Sequence, residues 1–162
     1  MTSHHPSSPA PYQATCVSID GRGLLIEGPP GSGKSSLALA LIDRGAVLVG
    51  DDGVLLESRG SVVWALPPPA IAGLLELRGV GLLPYPCAAA PVALVIRLSA
   101  QAPRFIELPD QLQLGGIAVP LVTLWPDSPV LHLRAEAALR RYGTAQGASQ
   151  RAAATAEGDH GH

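Results

Sequence analysis

Residues 28–35 read Gly28, Pro29, Pro30, Gly31, Ser32, Gly33, Lys34, Ser35, and no other stretch restricts the fold of this chain so strongly. The spacing is G-x-x-x-x-G-K-[ST], the pattern of a phosphate-binding loop. Its glycines let successive backbone N–H groups converge on one anion, a nest that side chains would obstruct. Lys34 has the reach for β- and γ-phosphates, and the Ser35 hydroxyl suits one position on Mg²⁺. Such a loop needs a strand before it and a helix after it. Residues 23–27 supply an apolar strand. Residues 34–44 place Leu37, Ala38, Leu41 and Ile42 at helical spacing, and Gly45 follows as a stop. The helix dipole adds attraction for phosphate. The dinucleotide fingerprint G-x-G-x-x-G is absent, which argues against an NAD enzyme.

Around this loop the pattern predicts many strands and few helices. Strands are expected at 14–19 and 23–27, joined by a hairpin turn at Asp20, Gly21 and Arg22, then at 46–49, 53–57 and 62–66. Pro67, Pro68 and Pro69 break the series, and residues 71–77 fit helix or strand equally well. Further strands are expected at 92–98, 105–108, 111–114 and 117–124, and a closing helix at 130–142 carries Leu131, Ala135, Ala138 and Leu139. The fold class is therefore α/β, with a strand-rich mixed sheet around the phosphate-loop helix. Residues 1–11 read as a disordered arm, 12–142 as one domain and 143–162 as a flexible tail that includes His160 and His162.

Composition narrows the partners. The chain has 162 residues, with 15% charged and a net charge of −2, so no general basic surface is present to hold a nucleic acid. Gly, Pro or a charge interrupts every apolar run, which excludes a membrane-spanning helix. The N-terminus lacks the basic start and apolar stretch of a secretory signal. Cys16 and Cys87 are too few for a disulfide framework or a zinc site and read as buried thiols, in keeping with a cytoplasmic protein. Ten of the eleven basic residues are arginines. The single lysine is Lys34.

Two more stretches carry charge in this charge-poor chain. Asp51 and Asp52 end the strand that follows the phosphate-loop helix, close to the phosphates. A carboxylate there can hold Mg²⁺ or accept a proton from an attacking hydroxyl. In an extended chain the two side chains point to opposite sides, so their roles divide. Residues 75–81 read LELRGVG, where Glu76 and Arg78 would share a face if extended.

Together GPPGSGKS, VGDD and LELRGVG, with Arg44 and Gly45 between, resemble the C-terminal catalytic domain of the HPr kinase/phosphorylase family, in a short stand-alone form. The resemblance runs from about residue 12 to 81 and more weakly to about 124. It implies a P-loop kinase-like domain that uses ATP and Mg²⁺ to phosphorylate a serine of HPr, a small phosphocarrier of the sugar phosphotransferase system. Many members also remove that phosphate by phosphorolysis. Oligomers, often hexamers, are implied as well.

Carried over by position, the resemblance implies that Gly28, Pro29, Pro30, Gly31, Ser32, Gly33, Lys34 and Ser35 bind the nucleotide. Asp52 would be the catalytic base, and Lys34 and Arg78 would serve catalysis. Ser35, Glu76 and Asp51 would hold the metal. The chain departs from the family at two places. Gln13 stands where members carry a histidine, fifteen residues before the first loop glycine, and the stretch 119–126 lacks the late arginine of a P-G-R-N loop. Two alternatives follow: a P-loop kinase for a small metabolite, or a non-catalytic nucleotide-binding regulatory sensor.

Overall fold

The stretch 90–98, APVALVIRL, has none of the alternation of a half-exposed strand, so both of its faces must be covered. The structure, a computed structural model, describes residues 8–145 and builds the fold around this stretch. In chain order the elements are β1 (Ala10–Tyr12), β2 (Thr15–Ile19), β3 (Arg22–Glu27), α1 (Lys34–Asp43), β4 (Val47–Gly50), β5 (Val54–Arg59) and β6 (Val62–Leu66). They continue with β7 (Leu74–Leu77), β8 (Gly81–Pro84), β9 (Ala90–Leu98), β10 (Asp110–Leu114), β11 (Ile117–Leu124) and α2 (Leu131–Tyr142). A 3-10 turn lies at Pro69–Ile71.

Strand β9 runs parallel to β3 on one side. On its other side it meets two strands in succession, antiparallel β6 at its start and parallel β11 at its end. The sheet therefore branches and curls. Its main path is β1-β5-β6-β9-β3-β2-β4, with β11 and then β10 off the side of β9. One face carries Leu24, Ile26, Leu94, Ile96 and Leu98 against Leu37, Ala38 and Leu41 of α1 and Leu131, Ala135 and Leu139 of α2. The other carries Cys16, Leu25, Val49, Val95 and Leu121, closed over by Val54, Val63 and Ala65 of the β5–β6 hairpin. Each fully buried leucine or isoleucine contributes about 1.5–3 kcal/mol. Helix α1, with ten residues, is too short to persist alone and depends on this packing.

Local chemistry sets the turns beside the site. Asp20 (φ 52°) and Gly21 (φ 80°) form the two-residue link between β2 and β3, both left-handed as the tight hairpin requires. Helix α1 stops at Gly45 (φ 106°), whose N–H donates to Ile42 O at 2.9 Å. Both match the sequence expectation.

Four expectations need correction or sharpening. The arm expected over 1–11 is not wholly irregular, because Ala10 and Tyr12 pair with Leu56 and Val54 at the sheet edge; residues 1–7 lie outside the described residues. The strand expected at 105–108 is absent: Pro103 and Pro109 bracket a stretch that leaves Phe105 and Leu108 81% and 83% exposed. The ambiguous 71–77 segment resolves into β7, which forms a separate hairpin with the unanticipated β8. The tail expected over 143–162 begins with a fixed clasp, Thr144 N–H on Ala93 O at 2.9 Å and Arg22 on Thr144 O at 3.3 Å. Residues 146–162, with His160 and His162, lie outside the described residues.

Candidate active site

The loop from Gly28 to Ser35 leaves the C-terminal end of β3 and enters α1. A turn hydrogen bond, Ser32 N–H on Pro29 O at 3.1 Å, folds it back on itself. At Gly28 a Cβ would stand 2.5 Å from Ser32 Oγ and 3.3 Å from Leu98 Cβ, so a larger residue there would force the Ser32 side chain to move. Gly33 caps α1 at φ 95° and offers no side chain to the helix terminus. The first turn of α1 also lacks an acidic residue, so its backbone N–H groups and dipole face outward uncompensated. Where Cβ atoms would stand at Gly31 and Gly33, nothing lies within 4 Å. The result is an open cradle of amides suited to an anion.

Lys34 and Ser35 complete the loop in different ways. The Lys34 ammonium donates to Gly28 O at 2.8 Å and Pro29 O at 3.3 Å, which holds it over the cradle. Ser35 Oγ donates to Oδ1 of Asp51 at 2.6 Å. Asp51 is buried just past the end of β4 and is held from two further directions. Thr15 Oγ1 of β2 donates to Oδ1 at 3.2 Å, and the backbone N–H of Glu76 on β7 donates to Oδ2 at 2.9 Å. Three elements thus converge on one carboxylate.

The aspartate pair divides as anticipated, by a different route. The strand ends at Gly50, and the chain turns with Asp52 in the left-handed region (φ 54°) instead of continuing extended. Asp51 is buried and Asp52 is exposed. Glu76 comes to the site through its backbone amide, while its side chain is exposed; Arg78 begins the β7–β8 turn and is exposed as well. Among the described residues no ion pair joins Glu76 to Arg78, and no group of three His, Cys, Asp or Glu side chains forms a metal cage. Gln13 is exposed beside β2.

Sequence reasoning missed two participants. Thr15 is fully buried, yet a threonine in a strand is ordinary by propensity and gave no signal. The second is a chain from Tyr12 to Glu27 to Arg97 on the rim just before Gly28. The Tyr12 hydroxyl donates to Glu27 Oε2, and Arg97 Nη2 donates to Glu27 Oε1 at 3.0 Å. Burial, then the bond to Glu27, pushes the Tyr12 phenol above its ordinary range. Arg97, the one exposed residue in β9, was the available signal for it. Burial also pushes the Cys16 thiol up, in keeping with an inert buried cysteine, whereas Cys87 is only half-buried.

Comparison with known proteins places this geometry. Residues 7–86 match the family model of the HPr Serine kinase C-terminal domain. The HPr kinase/phosphorylase of Mycoplasmopsis pulmonis is 44% identical over 69 residues, 43% of this chain and 22% of that protein. That of Clostridium acetobutylicum is 46% identical over 70 residues, 43% of this chain and 23% of that protein. The matched stretch thus spans less than a quarter of these relatives' length. A solved structure, the Hpr(Ser) kinase/phosphatase from Coxiella burnetii, superposes with a TM-score of 0.72 at 29% identity, covering 81% of this chain and 94% of that one. The site residues from Thr15 to Arg78 all fall within the matched stretch, which is a domain of the HPr kinase C-terminal type.

Proposed function

We propose that the chain is an ATP- and Mg²⁺-dependent kinase that phosphorylates a serine of HPr or an HPr-like phosphocarrier. The observation that carries this reading is the bond from Ser35 Oγ to the buried Asp51 carboxylate, directly behind the phosphate cradle. Magnesium prefers hard oxygen donors and usually takes one or two carboxylates plus substrate phosphates, not a cage made wholly of protein groups. A hydroxyl and a carboxylate side by side at the cradle, without a third carboxylate gathered there, fit that preference.

In this reading Ser35 and Asp51 hold the metal, with Glu76 at its border. When bound, Mg²⁺ supplies charge neutralisation to the β- and γ-phosphates. The amides of Gly28, Pro29's carbonyl-folded turn through Gly31, Ser32 and Gly33 shape the cradle, with Pro30 stiffening it. Lys34 exchanges its neutral carbonyl partners for phosphate oxygens, which make stronger charge-assisted bonds. Asp52, exposed and next in the chain to the buried Asp51, accepts the substrate hydroxyl's proton as that oxygen bonds to the γ-phosphorus and the bond to the β-γ bridging oxygen breaks. Arg78, exposed on the neighbouring hairpin, supplies a cation for the developing charge.

The test is incubation with ATP, Mg²⁺ and purified HPr, read by intact mass. One added phosphate on HPr, absent without Mg²⁺, is expected. A second reading, a nucleotide-binding sensor, is favoured by Gln13, which hydrogen-bonds but carries no proton at neutral pH. Nucleotide binding with HPr left unmodified is the outcome that selects it.

A further inference from the structure

We propose that Thr15 is the positioning residue that assigns Asp51 and Asp52 their separate roles; the inference deepens the phosphoryl-transfer reading and rests on it. A hydroxyl has one hydrogen to give and lone pairs to accept with. Thr15 Oγ1 lies 3.1 Å from the Asp52 backbone nitrogen and 3.2 Å from Asp51 Oδ1. The amide can only donate, so the threonine oxygen accepts there and its single hydrogen goes to the carboxylate.

Each half of this arrangement has a consequence. The β2–β4 ladder reaches its last pair at Cys16 and Gly50, so Asp52 N–H has passed beyond the backbone acceptors of β2. The Thr15 side chain takes over as acceptor and holds the turn in which Asp52 sits left-handed, a conformation unusual outside glycine. That turn leaves Asp52 at the surface. The other half fixes Asp51. Oδ1 receives both Thr15 and Ser35, and Oδ2 receives the Glu76 amide, so the carboxylate has a defined orientation at the phosphate cradle. Thr15 is 0% exposed, so no water can replace its hydroxyl. Groups that orient a metal-holding carboxylate typically matter about 10–100-fold to metal affinity or activity.

The experiment compares Thr15→Val, which keeps the shape and removes the hydroxyl, with Thr15→Ser, which keeps the hydroxyl. ADP affinity is measured by calorimetry with and without Mg²⁺, alongside phosphate transfer to HPr. For Thr15→Val we expect the Mg²⁺-dependent part of ADP affinity to fall by about 10–100-fold. Affinity for metal-free ADP should hold, kcat should fall to a similar extent, and KM for HPr should stay level. Thr15→Ser should remain within about threefold of the wild type. Wild-type behaviour in Thr15→Val overturns the proposal. So does an equal loss in Thr15→Ser, which would assign the effect to packing. Amide hydrogen exchange at Asp52, read by NMR in the wild type, needs neither variant nor reaction. Protection is expected, and free exchange overturns the proposal even if Thr15→Val does not fold. A wild type that binds no Mg²⁺-nucleotide and leaves HPr unmodified contradicts the kinase reading, and the Asp52 amide still decides the Thr15 contact.

Discussion

Ser35 and Asp51, sixteen residues apart in sequence, share a 2.6 Å hydrogen bond that ties the start of α1 to the end of β4. The bond puts a hydroxyl and a carboxylate at the same corner of the phosphate cradle. Asp51→Asn keeps the shape and removes the charge. We predict that Mg²⁺-ADP affinity falls by about 10–100-fold while metal-free ADP affinity changes little. Calorimetry with and without Mg²⁺ checks this, and equal losses in both conditions would argue against a metal role.

Lys34 touches only loop carbonyls, whereas Leu41 is 1% exposed in the core. Lys34→Ala should lose about 1.5–3 kcal/mol of nucleotide binding, the range for hydrogen bonds to charged groups. Its melting temperature should move little. Leu41→Ala should instead cost about 2–5 kcal/mol of stability. Paired melting and binding curves separate the two. A large drop in melting temperature for Lys34→Ala would contradict the assignment.

The phenol of Tyr12 is held above its ordinary value of 10.0 by burial and by Glu27. Folding therefore favours the protonated phenol. Its contribution is complete below the unfolded value and is lost as pH rises through the higher folded value. Tyr12→Phe should lower stability at neutral pH and should flatten the fall in stability above pH 10.0. Denaturant melts of both forms from neutral to alkaline pH test this. Parallel curves would show that the Tyr12–Glu27 contact contributes nothing.

Much of this arrangement was legible in the sequence because it is local. The loop, the helix after it and the stop at Gly45 depend on residues within one short span. The continuous apolar run of β9 likewise announced a strand covered on both faces. The misses are non-local. β1 is a strand only because β5 offers it an edge, and β8 only because β7 folds back on it. The 105–108 segment has strand-like residues, but its flanking prolines keep it out of the sheet. In the site, the place of Asp51 close to the phosphates followed from its position at the end of the strand after the phosphate-loop helix, whereas Thr15 joined through a sheet register that no local pattern encodes. The left-handed turn at Asp52 was hidden for the same reason.

Gln13 is exposed just before β2, at the position where the resemblance to the family implies a histidine. Gln13→His introduces a group that titrates near neutral pH. We predict a gain in phosphate-dependent removal of phosphate from phosphoserine-HPr, measured as pyrophosphate release. No gain would direct attention to the stretch 119–126, which contains no arginine.

The central claim is serine phosphorylation of HPr with Asp52 as the base. The direct measurement is transfer of labelled γ-phosphate from ATP to HPr by the wild type and by Asp52→Asn, with the modified residue mapped by mass spectrometry. The account predicts phosphoserine with the wild type, a rate about 10²–10⁴-fold lower for Asp52→Asn, and ATP affinity nearly equal in the two. Bound ATP with HPr left unlabelled by the wild type, or labelling that Asp52→Asn leaves intact, would contradict it.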